Sequence, residues 1–157
     1  MRRYCKTPKI LVMFAGIAPF PIVIAKKLKE KRKKAEIISN EINRKASKYS
    51  EENVKLNKME NYIKVIQGDS RKLPLKLKEK FDFIVMPRPN LKDTFLDIMR
   101  KFSKKSAEIY YYGFGEEEKV LDEIWRYAGA RVGGIKIEKA GEIAPYKFRW
   151  LAKFRVR

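Results

Sequence analysis

Residues 10–20, reading Ile-Leu-Val-Met-Phe-Ala-Gly-Ile-Ala-Pro-Phe, constrain the fold more than any other stretch of this chain. The run at 10–14 is continuously apolar and rich in β-formers, the pattern of a strand buried on both faces of a parallel sheet. A small-residue turn follows at Ala15-Gly16, with a second small residue at Ala18. Pro19 and Pro21 suit the first turn of a helix, where a missing N–H costs nothing. Strand, tight turn and helix N-terminus together let backbone approach a ligand with free N–H groups pointing at it. An ordinary βα turn has the same outline, so the rest of the chain must decide between the two.

Charge narrows the class. The formal net charge is +19, from 38 Lys+Arg against 19 Asp+Glu. An ion-pair-rich surface needs roughly matched charges, so an excess of this size points to a polyanionic partner, RNA or DNA before an anionic membrane. At 157 residues and 45% hydrophobic, the chain suits one domain, 1–157, with a real core. No run approaches the ~20 apolar residues of a bilayer span, and the basic N-terminus leads into a strand and not a signal peptide. Cys5 is the only cysteine and there is no histidine. That excludes an internal disulfide, histidine catalysis and Cys/His metal chemistry, and fits a cytoplasmic protein that needs no metal.

The remaining elements alternate. A helix is expected over 21–34, ending in a dense Lys/Arg run that complements its dipole. A strand at 35–39 leads to Glu41, which lies 25 residues beyond Gly16. An acid near that spacing ends the second strand of dinucleotide-type folds and binds ribose, since its two oxygens can accept from both hydroxyls. Asn43 can cap a helix running to about Asn57, and a third strand at 62–66 closes on Gly68-Asp69-Ser70-Arg71. Asp69 is either a turn residue or an acceptor for an adenine amino group.

A fourth strand at 81–86 ends in Pro87-Arg88-Pro89-Asn90. Two prolines stiffen this loop at the carboxyl end of a central strand, where open α/β sheets place reacting groups, so Arg88 is expected to be presented. A helix at 91–102 and a strand at 106–112 follow, the latter containing Tyr110, Tyr111 and Tyr112. A helix at 116–128 with an acidic first turn precedes a strand pair, 131–137 and 147–156, joined by a loop at 138–146. The result is a mostly parallel, doubly wound α/β sheet with an antiparallel hairpin at one edge and helices on both faces.

That strand pattern resembles the Rossmann-like fold of class I S-adenosylmethionine-dependent methyltransferases. Met13-Phe14-Ala15-Gly16-Ile17-Ala18-Pro19-Phe20 resembles the cofactor motif of the archaeal and eukaryotic tRNA guanine-N1 methyltransferases, which act on the guanosine just 3′ of the anticodon. It is similar also to their sister family, the aminocarboxypropyl transferases of wybutosine synthesis. The likeness continues through Glu41-Ile42-Asn43, Gly68-Asp69-Ser70-Arg71, Met86-Pro87-Arg88-Pro89, the three tyrosines and Ala144-Pro145, covering nearly the whole chain in order. The resemblance implies S-adenosylmethionine as cofactor and tRNA as partner. It implies that Phe14, Ala15 and Gly16 line the methionine end, Glu41 the ribose and Asp69 the adenine, with Ala18, Ile42, Ser70 and Met86 also counted among the cofactor-binding residues. Met86 to Pro89 would face the target base, Pro87, Arg88 and Pro89 being joined there by Tyr146, Lys147 and Arg149.

The sequence departs from the pattern at Val12, Ala18, Pro87 and Lys153, where the family carries an acid, a glycine, an asparagine and an aspartate. The resemblance also implies an N-terminal RNA-binding domain and a segment supplying an arginine and an acidic base, and neither is expected within these 157 residues. Arg88 is then the candidate catalytic residue and the general base is unassigned. Three functions fit: guanine-N1 methylation, aminocarboxypropyl transfer, or a non-catalytic RNA-binding or partner subunit. A separate partner chain or a homo-oligomer would complete such a molecule.

Overall fold

Seven strands form one sheet in the order β3-β2-β1-β4-β5-β7-β6. The structure is a computed structural model and describes residues 7–157, so Arg2, Arg3, Cys5 and Lys6 lie outside the described residues. The strands are β1 (Lys9–Val12), β2 (Glu36–Glu41), β3 (Ile63–Gln67), β4 (Phe81–Met86), β5 (Ser103–Gly115), β6 (Val132–Ala144) and β7 (Lys147–Val156). The first five run parallel, and β7 inserts antiparallel between β5 and β6. Chain order reverses between β1 and β4, which opens a crevice above their carboxyl ends.

Strand β1 shows why the apolar run is continuous. Ile10 and Val12 belong to the core on one face, Leu11 and Met13 to the core on the other. The first face is covered by α1 (Pro19–Glu30) and α2 (Arg44–Leu56) through Ile22, Ala25 and Val54. The second is covered by α3 (Leu73–Lys76), α4 (Leu96–Phe102) and α5 (Glu117–Ala128), through Leu73, Leu96, Phe102, Val120 and Ile124. Asn43 caps α2 as expected, its Oδ1 accepting from Ala46 N at 3.0 Å. No helix among the described residues is long and apolar enough to cross a membrane.

Three expectations need correction. Helix α1 stops at Glu30, so the basic run Lys31 to Lys34 is a turn beyond its end. The helix expected over 91–102 begins only at Leu96. Asp93 Oδ1 accepts from Phe95 N at 3.0 Å, Thr94 Oγ1 accepts from Leu96 N at 3.4 Å, and Phe95 sits at φ +57°. Such local side-chain bonds compete with the first helical turn. The loop expected at 138–146 is strand as far as Ala144: β6 continues as the sheet's edge strand alongside β7, which pairs with β5 as far as Phe148, and Pro145-Tyr146 closes the β6–β7 ribbon. Residues 138–144 of this edge are mostly exposed, so their polar, glycine-containing sequence carries no apolar alternation. Lys139 Nζ lies 3.7 Å from the Phe148 ring centroid and helps hold it.

Gly113 on β5 is dictated by packing. A Cβ built there would lie 2.5 Å from Val120 Cγ1 of α5, and Val120 is fully buried. Gly113→Ala is expected to cost about 1–3 kcal/mol by overpacking, lowering Tm by about 2–4 °C per kcal/mol. Thermal denaturation should also show Val120→Ala partly restoring the double variant; no shift in Gly113→Ala would mean that α5 floats freely above the sheet.

Candidate active site

The crevice holds a cavity of about 550 Å³. Its walls come from the ends of successive parallel strands: Phe14 after β1, Glu41 and Ile42 after β2, Asp69 and Ser70 after β3. Pro87, Arg88 and Pro89 follow β4, and Leu91, Phe95, Phe114 and Arg149 complete the apolar and basic side.

The glycine turn is built from left-handed backbone, with φ of +54° at Phe14, +57° at Gly16 and +70° at Ala18. Left-handed conformation at two non-glycine residues costs roughly 1–2 kcal/mol each, and such strain persists where surrounding bonds impose it. Here Ala15 N donates to Asn40 O at 2.9 Å and Ala18 N to Ala15 O at 2.9 Å. Gly16 N donates to Glu41 Oε2 at 2.8 Å, while Asn43 N donates to the other oxygen, Oε1, at 2.8 Å. A Cβ built on Gly16 meets no atom within 4 Å, so internal packing does not demand glycine. Its backbone conformation favours glycine, and the space beside it is open to a ligand.

Asn40, which the sequence reading passed over, fastens the far wall. It is 1% exposed; its Nδ2 donates to Ile66 O and Gly68 O, both at 3.0 Å, and its Oδ1 accepts from Ser70 Oγ at 2.7 Å. The end of β2 is thereby tied to the turn after β3, which places Asp69 and Glu41 on the wall of one cavity. Asp69 Oδ1 accepts from Arg71 N at 2.8 Å, leaving its second oxygen for a ligand donor. A buried amide at the end of an apolar strand was the available signal.

Above this floor, Arg71 bonds Asp93 and Asp97, with Nε to Asp93 Oδ2 at 2.9 Å. Burial alone would raise the Asp93 carboxyl, but the Arg71 guanidinium and Phe95 N–H more than offset it and hold it below its ordinary value. Arg71 also lies 4.8 Å over the Phe95 ring, which packs edge-on against Phe14 at 4.8 Å. The loop after β4 is therefore latched to the turn after β3 across the cavity.

Arg88 differs from expectation. Its side chain is 2% exposed and turns inward. Nη1 donates to the carbonyls of Leu91 at 2.9 Å, Asp93 at 3.3 Å and Pro89 at 3.4 Å. Nη2 lies 3.5 Å from Glu123 of α5, and the guanidinium carbon sits 5.1 Å from the Tyr111 ring. Tyr111 OH donates to the same carboxylate at 2.9 Å. Burial, followed by the Glu123 charge, raises this phenol well above its ordinary value, against the pull of Arg88, so it stays a donor. The guanidinium takes up carbonyls that a helix would have satisfied, which is why residues 87–95 stand as a loop.

Other assigned residues fall in and out of the wall. Ala18 and Met86 are fully buried, Ala18 in the turn that opens α1 and Met86 in the core beneath the cavity, so neither side chain is exposed on the cavity wall. Ala15 is 3% exposed and contributes backbone alone. Tyr146 and Lys147 sit at the tip of the ribbon, which carries them off the cavity wall, whereas Arg149 remains on it. Leu91, Phe95 and Phe114 form an apolar wall that had not been assigned to the site. No group of three or more acidic or Cys/His residues among the described residues is placed to hold a metal.

Comparison with known proteins agrees with this geometry. Over 154 residues, the chain is 36% identical to tRNA (guanine(37)-N(1))-methyltransferase Trm5b of Pyrococcus abyssi, covering 92% of this chain and 42% of that protein. Over 143 residues it is 31% identical to the tRNA(Phe) (4-demethylwyosine(37)-C(7)) aminocarboxypropyltransferase of Methanocaldococcus jannaschii, covering 87% of this chain and 55% of that protein. The crystal structure of M. jannaschii TYW2 in complex with AdoMet superposes with a TM-score of 0.79 at 26% identity, over 97% of this chain and 70% of that one. The chain thus spans about half or less of the length of these two curated relatives. Residues 2–133 match the model of the TRM5/TYW2 methyltransferase domain, and with the sheet order, crevice and turn described above, the chain belongs to that family.

Proposed function

We propose that this chain is an S-adenosylmethionine-dependent tRNA methyltransferase acting at guanine N1 beside the anticodon. The observation that carries this reading is the Glu41 carboxylate, fastened to Gly16 N at the end of β2 and facing the cavity. The donor set fits the cofactor: each Glu41 oxygen retains a lone pair for a ribose hydroxyl, Asp69 offers an acceptor for an amino group, and Phe14 and Phe95 supply apolar surface. Bound there, S-adenosylmethionine would supply an electrophilic methyl group.

The chain's own residues orient and enclose. Glu41 and Asp69 are the carboxylates lining the cavity, and both are engaged with backbone N–H groups. What the cleft contributes is therefore placement of the target base by the 87–95 loop, with Arg149 as cationic wall. The +19 charge supports a tRNA partner.

Aminocarboxypropyl transfer is the second reading, favoured by Pro87 where the methyltransferase pattern carries asparagine. Incubation of S-adenosylmethionine with tRNA carrying guanosine beside the anticodon, and separately with tRNA carrying 4-demethylwyosine there, followed by mass spectrometry of the nucleosides, separates the two. A guanosine heavier by one methyl is expected, and an aminocarboxypropyl adduct would replace the first reading with the second. Cofactor binding without any transfer would leave a non-catalytic RNA-binding or partner subunit.

A further inference from the structure

A second concavity lies at the opposite end of the sheet from the crevice, where β4 and β5 begin and β7 ends. Its volume is about 640 Å³, and seven of its ten lining residues are cationic against one acid, Asp97. Arg100 and Lys101 come from the last turn of α4, Lys104 and Lys105 from the start of β5. Lys80 precedes β4, Arg131 precedes β6, and Arg157 follows β7. Four separate segments of the chain, around 80, 100–105, 131 and 157, thus deliver like charge to one hollow. Asp97 is turned to Arg71, and Lys104 is the cation of this set with an ion-pair partner, Asp82 at 2.7 Å. Arg157 lies over Gly133, where a Cβ would come within 2.6 Å of its Nε.

A helix C-terminus explains two of these cations through its dipole. It does not explain Lys80, Lys105, Arg131 and Arg157 converging on the same space, since gathered like charge opposes folding unless an anion relieves it. We propose that this hollow is a second RNA-contact site, taking the sugar–phosphate backbone of the substrate away from the nucleotide that enters the crevice. The ligand class follows from shape and lining. The hollow far exceeds a single phosphate, and Val156 is its sole apolar residue, too little to enter a bilayer. Phosphate contacts of this kind fix register without reading sequence. Strand β4 separates hollow and crevice by about 20 Å, from its length and a rise of ~3.3 Å per residue, a span that one folded RNA bridges.

This inference rests on the reading of the chain as an RNA-acting enzyme, and the test keeps the two apart. tRNA binding would be measured over a salt series for the wild type and the triple variant Lys101→Gln, Lys105→Gln, Arg131→Gln. A control triple removes equal charge from exposed positions of α2: Lys45→Gln, Lys48→Gln, Lys55→Gln. The hollow variant is expected to bind at least tenfold more weakly at 0.1 M salt. Its log–log salt slope should flatten by about two, given ~0.7–0.9 per phosphate contact. The control should change less than twofold, cofactor titration should not move in either, and Tm should not fall in either, rising if anything in the hollow variant as like charge is relieved. Equal losses in the two triples, or none, overturn the site while leaving the proposed function intact. Loss of binding to phosphatidylserine vesicles without loss of tRNA binding would reassign the hollow to lipid. A wild type that takes up no S-adenosylmethionine and modifies no tRNA would instead defeat the proposed function, whatever the salt slopes show.

Discussion

Glu41→Ala is expected to weaken S-adenosylmethionine binding roughly 5- to 150-fold, the equivalent of about 1–3 kcal/mol for leaving ligand hydroxyls unpaired once the occupied site excludes water. Two losses combine. The ribose hydroxyls lose their acceptor, and Gly16 N and Asn43 N, both 2.8 Å from the carboxylate, lose theirs as well. The turn that must hold Phe14, Gly16 and Ala18 in left-handed backbone then has one fewer restraint. Glu41→Asp should recover part of the affinity, because a side chain one methylene shorter keeps the charge but cannot reach both N–H groups. Isothermal calorimetry measures this directly. Equal affinity in the alanine variant and the wild type would remove Glu41 from the site.

Much of this arrangement was legible because parallel sheets write themselves in continuous apolar runs. Residues 81–86 form β4 with the expected bounds, and the Asn43 cap was visible in its residue type. The spacing from Gly16 to Glu41 could be read because both ends are set by strands of fixed rise, and they meet at 2.8 Å. Two of the misreadings share a cause: side chains that satisfy backbone outside regular elements. The 91–95 loop looked helical from its apolar spacing, yet Asp93, Thr94 and Arg88 supply bonds that no periodicity encodes. Asn40 escaped notice for the same reason, since its three bonds go to residues 26 to 30 positions away. The strand pair 131–137 and 147–156 is legible, but 138–144 reads as a loop because this exposed end of an edge strand carries no alternation to detect.

Arg88 turns inward onto the carbonyls of its own loop, and a positioning role is expected to show in its variants. Arg88→Ala is expected to cost about 2–4 kcal/mol, combining orphaned loop carbonyls with the lost cation–π contacts to Tyr111 and Phe114. The loop from Pro87 to Phe95 forms one wall of the cavity, so turnover and cofactor affinity should fall together with Tm. Arg88→Lys should recover only part of this, because an ammonium keeps its charge near Glu123 but cannot reproduce a fork that reaches Leu91 and Asp93 at once. Tyr111→Phe and Glu123→Gln provide the discriminating arm, since neither residue lines the cavity yet both hold the guanidinium. Each should reproduce a fraction of the same losses, and an Arg88/Glu123 double-mutant cycle should show coupling of about 0.5–3 kcal/mol. The measurements are thermal denaturation, cofactor titration and single-turnover transfer on every variant. If Arg88→Ala abolished transfer with Tm and cofactor affinity unchanged, the guanidinium would act on the substrate and not on the loop.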